Sequence, residues 1–172
     1  MICIGFGTNE RLASRLIRRA TESDWSHTWL EFPSSVWGSK WVAHSGPGGI
    51  TKIPLSIVEE AYPERSVYLI GIDVKRLHTG FRWARDHIGS DSGYNVAWNG
   101  FLFLLWRATV WERLYGTIRK NVARYTGSDF VAGFLKAGGV TGFEKSDPKQ
   151  VTPGHLERFC NHSNDFQWLG YG

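Results

Sequence analysis

The chain has 172 residues, 42% hydrophobic and 21% charged, which excludes a disordered segment and gives one domain enough length for a core. The formal charge of +4 sits in one place: Arg107, Arg113, Arg119, Lys120 and Arg124 against Glu112 account for all of it. Two distant cysteines, Cys3 and Cys160, exclude a disulfide framework and a zinc pattern, and no cofactor or metal ligand set is expected.

The opening run MICIGF predicts a buried strand that contains Cys3 and ends at Gly7. It lacks the basic region, long apolar stretch and cleavage site of a signal peptide, so synthesis in a reducing cytosol is expected. Asn9 is the expected N-cap of a helix from Glu10 to about Thr21, whose Leu12, Leu16, Ile17 and Ala20 recur at helical spacing. Ser23-Asp24 should break it. Two strands are expected next, His27 to Phe32 and Lys40 to Ser45, joined by the turn-rich PSSVWGS. GPGG at 46–49 reads as a tight turn and ITKIP as a short strand. Ser66 to Val74 is the most strand-like stretch, and a helix near Thr79–His87 follows.

Residues 94–123 read as one long helix or two broken ones, within an aromatic and basic helical insertion at about 90–124. Its run VAWNGFLFLLW, Val96 to Trp106, is too short to span a bilayer, which takes roughly 20 residues. Trp98, Phe101, Leu102, Leu105 and Trp106 cannot all face inward on one helix. The remainder, beside five basic residues, suits a protein partner or an anionic lipid surface; a packed helical hairpin is the alternative. A further helix should follow Gly127 and stop at Gly138-Gly139, and a last short one should begin at Pro153, with Cys160 beyond it. Strands early and helices late make an α+β domain spanning 1–172.

Three polar clusters stand out. SHTWLEF puts His27 at the mouth of a strand, and alternation places His27, Trp29 and Glu31 on one face. WVAHSGPGG puts His44 at the close of the neighbouring strand, where an antiparallel pair would bring the two histidines side by side. TGSDFVAGFL opens a helix with Gly127, Ser128 and Asp129, among unpaired N–H groups at the positive end of the helix dipole. Such an end lowers a thiol's pKa and stabilises an oxyanion. By itself the cluster reads more simply: Ser128 or Asp129 caps the helix and Gly127 gives the bend.

The order and context of these clusters resemble the circularly permuted branch of the papain-like NlpC/P60 superfamily of bacterial and phage proteins. The resemblance rests on SHTWLEF, on VAHS with the glycine turn and GGITKIPL, on YTGSDFVA, and on DPKQVTPGHLERF at 147–159. It covers nearly the whole chain. It implies an antiparallel sheet packed against the helix that carries the nucleophile position, and a cysteine peptidase or amidase acting on peptide, amide or acyl substrates, cell-wall peptides among them.

Carried over by position, His27 is the general base and His44 the residue that orients it. Glu31 competes for the second role but lies roughly 13 Å along the strand from His27. The nucleophile falls on Gly127, which has no side chain, so this chain is expected to be inactive. Ser128 points about 100° away around the helix and is a poor substitute. Two histories fit: replacement of a cysteine by glycine, or natural decay into a binding protein that kept the groove. A non-catalytic structural or interaction protein, for instance part of a phage particle or one delivered to the cell envelope, is the competing class. Nucleic acid ranks last, because no recognised motif is present.

Overall fold

A computed structural model describes residues 1–33, 40–46, 49–89 and 126–171. The expected insertion at 90–124 and its partner surface lie outside these residues. Along the chain run β1 (Cys3–Thr8), α1 (Leu12–Thr21), β2 (His27–Phe32), β3 (Trp41–Gly46), β4 (Gly49–Pro54), α2 (Leu55–Ala61) and β5 (Glu64–Ile70). Then come α3 (His78–His87), α4 (Gly127–Ala137), a 3-10 turn (Pro148–Gln150), α5 (Pro153–His162) and β6 (Phe166–Tyr171). The strands form one antiparallel sheet in the order β4-β3-β2-β1-β5-β6, so the chain is α+β.

The two faces of β1 explain the layers. Ile4 and Phe6 point to one side with Leu30, Phe32, Ala43, Tyr68 and Ile70, and α4 packs its Phe130, Val131, Phe134 and Leu135 into this main core. Burying each such side chain contributes about 1.5–3 kcal/mol. Gly5 and Gly7 point to the other side, opposite Trp29 and His27 of β2. A Cβ at Gly5 would fall 2.1 Å from the Trp29 indole, so the ring lies directly on the β1 backbone. Trp29, Val42 and Val58 of α2 form a second, smaller core there.

Several expectations need correcting. Helix α1 starts at Leu12, and its N-cap position is Arg11, without a side-chain cap. Asn9 instead accepts from Arg11 N–H and the Ser14 hydroxyl and donates to the Ala61 carbonyl. Leu12 and Leu16 do not face the core; they are exposed. The strand expected from Ser66 to Val74 runs over Glu64–Ile70, because Gly71 N–H turns to the Asp165 carbonyl and Asp73 closes a turn onto Lys75 and Arg76. A sixth strand, β6, follows the last helix, so strands are not confined to the first half. Cys160 lies inside α5, buried in the core, not beyond it.

Candidate functional site

At the end of the sheet where β2 begins and β3 finishes, His27, His44 and the start of α4 converge. His44 pairs in register with Trp29, so the two histidines meet diagonally, His27 Nε2 lying 3.2 Å from His44 Nδ1. The other edge of the His27 ring meets α4: a Cβ built on Gly127 would lie 3.2 Å from both Nδ1 and Cε1. One imidazole thus has one nitrogen on His44 and the other on position 127. When His27 Nε2 donates to His44, the lone pair of His27 Nδ1 faces that position. Burial, and then the neighbouring His44, push the His27 pKa down to about 3, and burial lowers that of His44. Both rings are neutral at physiological pH.

The ring is also held from its flat side. Tyr62, just after α2, stacks on His27 at 4.9 Å and 14°, and on Trp29 at 5.9 Å. Glu31 does not reach His27. It accepts from the Trp29 indole N–H at 3.0 Å, and burial raises its pKa. Of the two candidates for an orienting residue, only His44 is within hydrogen-bond reach.

The α4 terminus is built differently from the simple expectation. Thr126 is the N-cap, and neither Ser128 nor Asp129 is. Asp129 at N3 closes a capping box, its carboxylate accepting from Thr126 N–H and its N–H donating to Thr126 Oγ1. The Ser128 hydroxyl lies 3.2 Å from Thr126 Oγ1. Gly127 is the first helical residue and makes no left-handed bend. What requires glycine there is proximity, since a Cβ would fall 2.4 Å from the Thr28 carbonyl oxygen. The first intrahelical bond comes from Phe130 N–H, which leaves the N–H groups of Gly127 and Ser128 at the positive helix end beside His27.

Sequence reasoning missed Tyr62, Thr126 and Thr28. Thr28 is fully buried, and its hydroxyl has no hydrogen-bond partner among the described residues. The signal for the aromatic stack was the G-x-G of β1, which leaves room for a large ring opposite. Cys3 and Cys160 are buried thiols whose pKa values desolvation pushes up to about 11 and about 12, so neither supplies a nucleophile. Among the described residues no helix is long and apolar enough to cross a membrane.

No protein-family model matches the chain, and no curated protein does. Among solved structures it is similar to the metalloprotein yiiX from Escherichia coli O157:H7, described as DUF1105, with a TM-score of 0.55 and 16% identity. The similarity covers 99% of this chain and 96% of that one. At this identity the likeness speaks for the fold alone.

Proposed function

We propose that the chain is a permuted papain-like scaffold of the NlpC/P60 type that holds a peptide, amide or acyl group without turning it over. The observation that carries this is the two-sided seating of His27, between His44 at 3.2 Å and position 127 at the same distance. In cysteine hydrolysis the base takes the thiol proton, the thiolate attacks the carbonyl, helix N–H groups stabilise the oxyanion, and the base returns the proton to the leaving group. Each of those places has a counterpart here: His27 Nδ1 for the base, His44 for its orientation, and the Gly127 and Ser128 N–H groups for the oxyanion. The nucleophile's whole side chain is missing, so no acyl-enzyme can form.

Between the two histories, the tight fit at position 127, where a Cβ would fall 2.4 Å from the Thr28 carbonyl oxygen, favours a resident glycine. A side chain at 127 therefore needs a small shift between α4 and β2. The similar solved structure is described as a metalloprotein. Among the described residues here no three His, Cys, Asp or Glu side chains converge, so the proposal assigns no residue to a metal.

The test is Gly127→Cys, followed by its alkylation with iodoacetamide across pH, with and without His27→Ala. Cys3 and Cys160 are buried and add little background. The expected thiol reacts well below the free-thiol pKa of about 8.5 and slows when His27 is removed. In a Gly127→Cys variant whose Tm is kept, a thiol that titrates near that value, indifferent to His27, would sink the proposal.

A further inference from the structure

The contacts at the two nitrogens of His27 do not fix the plane of its ring. The torsion that turns an imidazole about its Cβ–Cγ bond has a broad minimum, and a hydrogen bond between Nε2 and His44 sets the reach of one corner while the ring can still roll about it. The His44 ring does not block the roll, because it meets His27 at 88°, with 5.4 Å between centroids. At the other nitrogen, position 127 carries no side chain to bear on the ring.

Tyr62 supplies the missing constraint. Its ring lies on the face of the imidazole at 14° and 4.9 Å, while Trp29 stands farther off and more tilted, at 33° and 6.0 Å. Tyr62 also covers Trp29, at 28° and 5.9 Å, so the three rings brace one another. The peptide group that joins Ala61 to Tyr62 is fixed at both of its poles. The Tyr62 N–H donates to the Val58 carbonyl at 2.9 Å, and the Ala61 carbonyl accepts from the Asn9 side-chain amide at 2.9 Å. Asn9 in turn accepts from the Ser14 hydroxyl at 2.7 Å. A roll of the imidazole would have to displace a ring whose backbone is tied both to α2 and to the start of α1.

The geometry points to Tyr62 as a positioning residue for His27: its stacked ring sets the plane of the imidazole, and with it the aim of Nδ1 at position 127 while Nε2 keeps His44. The inference rests on the reading of His27 as the base position of a papain-like site. It goes beyond that reading by dividing the orienting work, His44 holding one nitrogen and Tyr62 holding the plane. The assignment is to the ring face and not to the hydroxyl, so phenylalanine should serve in its place.

The experiment records long-range proton–nitrogen NMR spectra of the full chain with nitrogen-labelled histidine, at physiological pH, where both rings are neutral. Such spectra read which ring nitrogen carries the proton. The unchanged chain and Tyr62→Phe should each show His27 as one tautomer, and Tyr62→Leu should show a mixture of the two. Tyr62 is only partly buried and follows a seven-residue helix, so Tyr62→Leu should keep the fold, with Tm as the check; if it does not, Tyr62→Met takes its place. A merely structural role would lower Tm and leave the tautomer alone. In the Gly127→Cys background, Tyr62→Leu should slow alkylation by iodoacetamide about tenfold, and Tyr62→Phe should not. A mixture already present in the unchanged chain, a single tautomer kept in Tyr62→Leu, a Tyr62→Phe spectrum as mixed as that of Tyr62→Leu, or an alkylation rate that depends on His27 and not on Tyr62 would each overturn the inference. A Gly127→Cys thiol indifferent to His27 would overturn the reading of the site instead, and the tautomer spectra would still decide for or against Tyr62.

Discussion

Helices α1 and α4 are close in length, 10 and 11 residues, and are built to opposite rules. Helix α4 opens with a reciprocal capping box and keeps every residue from Gly127 to Leu135 buried. Helix α1 opens on Arg11 without a side-chain cap and turns two leucines outward. Both carry helical periodicity in sequence. Periodicity shows that a helix has two faces; the neighbours decide which face is inside.

The widest gap should appear on truncating a large side chain. Phe134→Ala in α4 removes a fully buried ring that packs edge-on against Phe81, and should cost about 3–5 kcal/mol in urea unfolding. Leu12→Ala in α1 should stay within about 0.5 kcal/mol. Equal costs would mean that α1 packs its leucines after all.

Acid should separate the two helices next. His27 sits against the start of α4 with a folded pKa of about 3, below its unfolded value of 6.5. The unfolded chain therefore binds more protons in that window. Stability is fully present above 6.5 and is lost as pH falls toward 3, with a slope approaching 1.4 kcal/mol per pH unit. His44 and His155 act in the same direction. Glu31 and Glu157, whose pKa values burial raises, act in the opposite one and offset part of the loss at the acid end. Urea unfolding from about pH 7 to about pH 5 should show the fall, and His27→Gln should flatten it. A slope that His27→Gln leaves unchanged would assign the effect elsewhere.

The smallest contrast concerns the caps. Thr126→Ala removes the acceptor for Asp129 N–H and should cost about 1 kcal/mol, whereas Arg11→Ala, with no cap to lose, should be neutral by the same measurement.

Much of this molecule was legible in its residues. β2, α4, α5 and the meeting of His27 with His44 follow from alternation, from a glycine stop and from Pro153 at a first turn. The antiparallel arrangement that joins the histidines is the pairing expected of two strands joined by a short connection. What was not legible depends on contacts far apart in sequence. β6 mixes Gln167 and Gly170 with exposed Trp168, Leu169 and Tyr171, and only its pairing with β5 makes it a strand. Thr126 looked like one more polar residue before Gly127, and its role is defined by Asp129 three residues on. Tyr62 follows α2 with no local mark, and its partner ring lies 35 positions earlier in the chain. Leu12 and Leu16 carried the right spacing and the wrong implication, because the inward side is the one with Ser14 and Thr21, and Ser14 is tied through Asn9 to the Ala61 carbonyl.

The paired glycines of β1 reach further than their own strand. A methyl at Gly5 would strike the Trp29 indole, and one at Gly7 would meet both Trp29 and Tyr62 at 2.8 Å. Those two rings are what the His27 imidazole rests against. The aim of the imidazole is therefore written partly in two positions that carry no side chain, 20 or more residues upstream. A mutational scan blind to them would score Gly5 and Gly7 as packing positions. A scan that read the state of His27 would find them among the settings of the site.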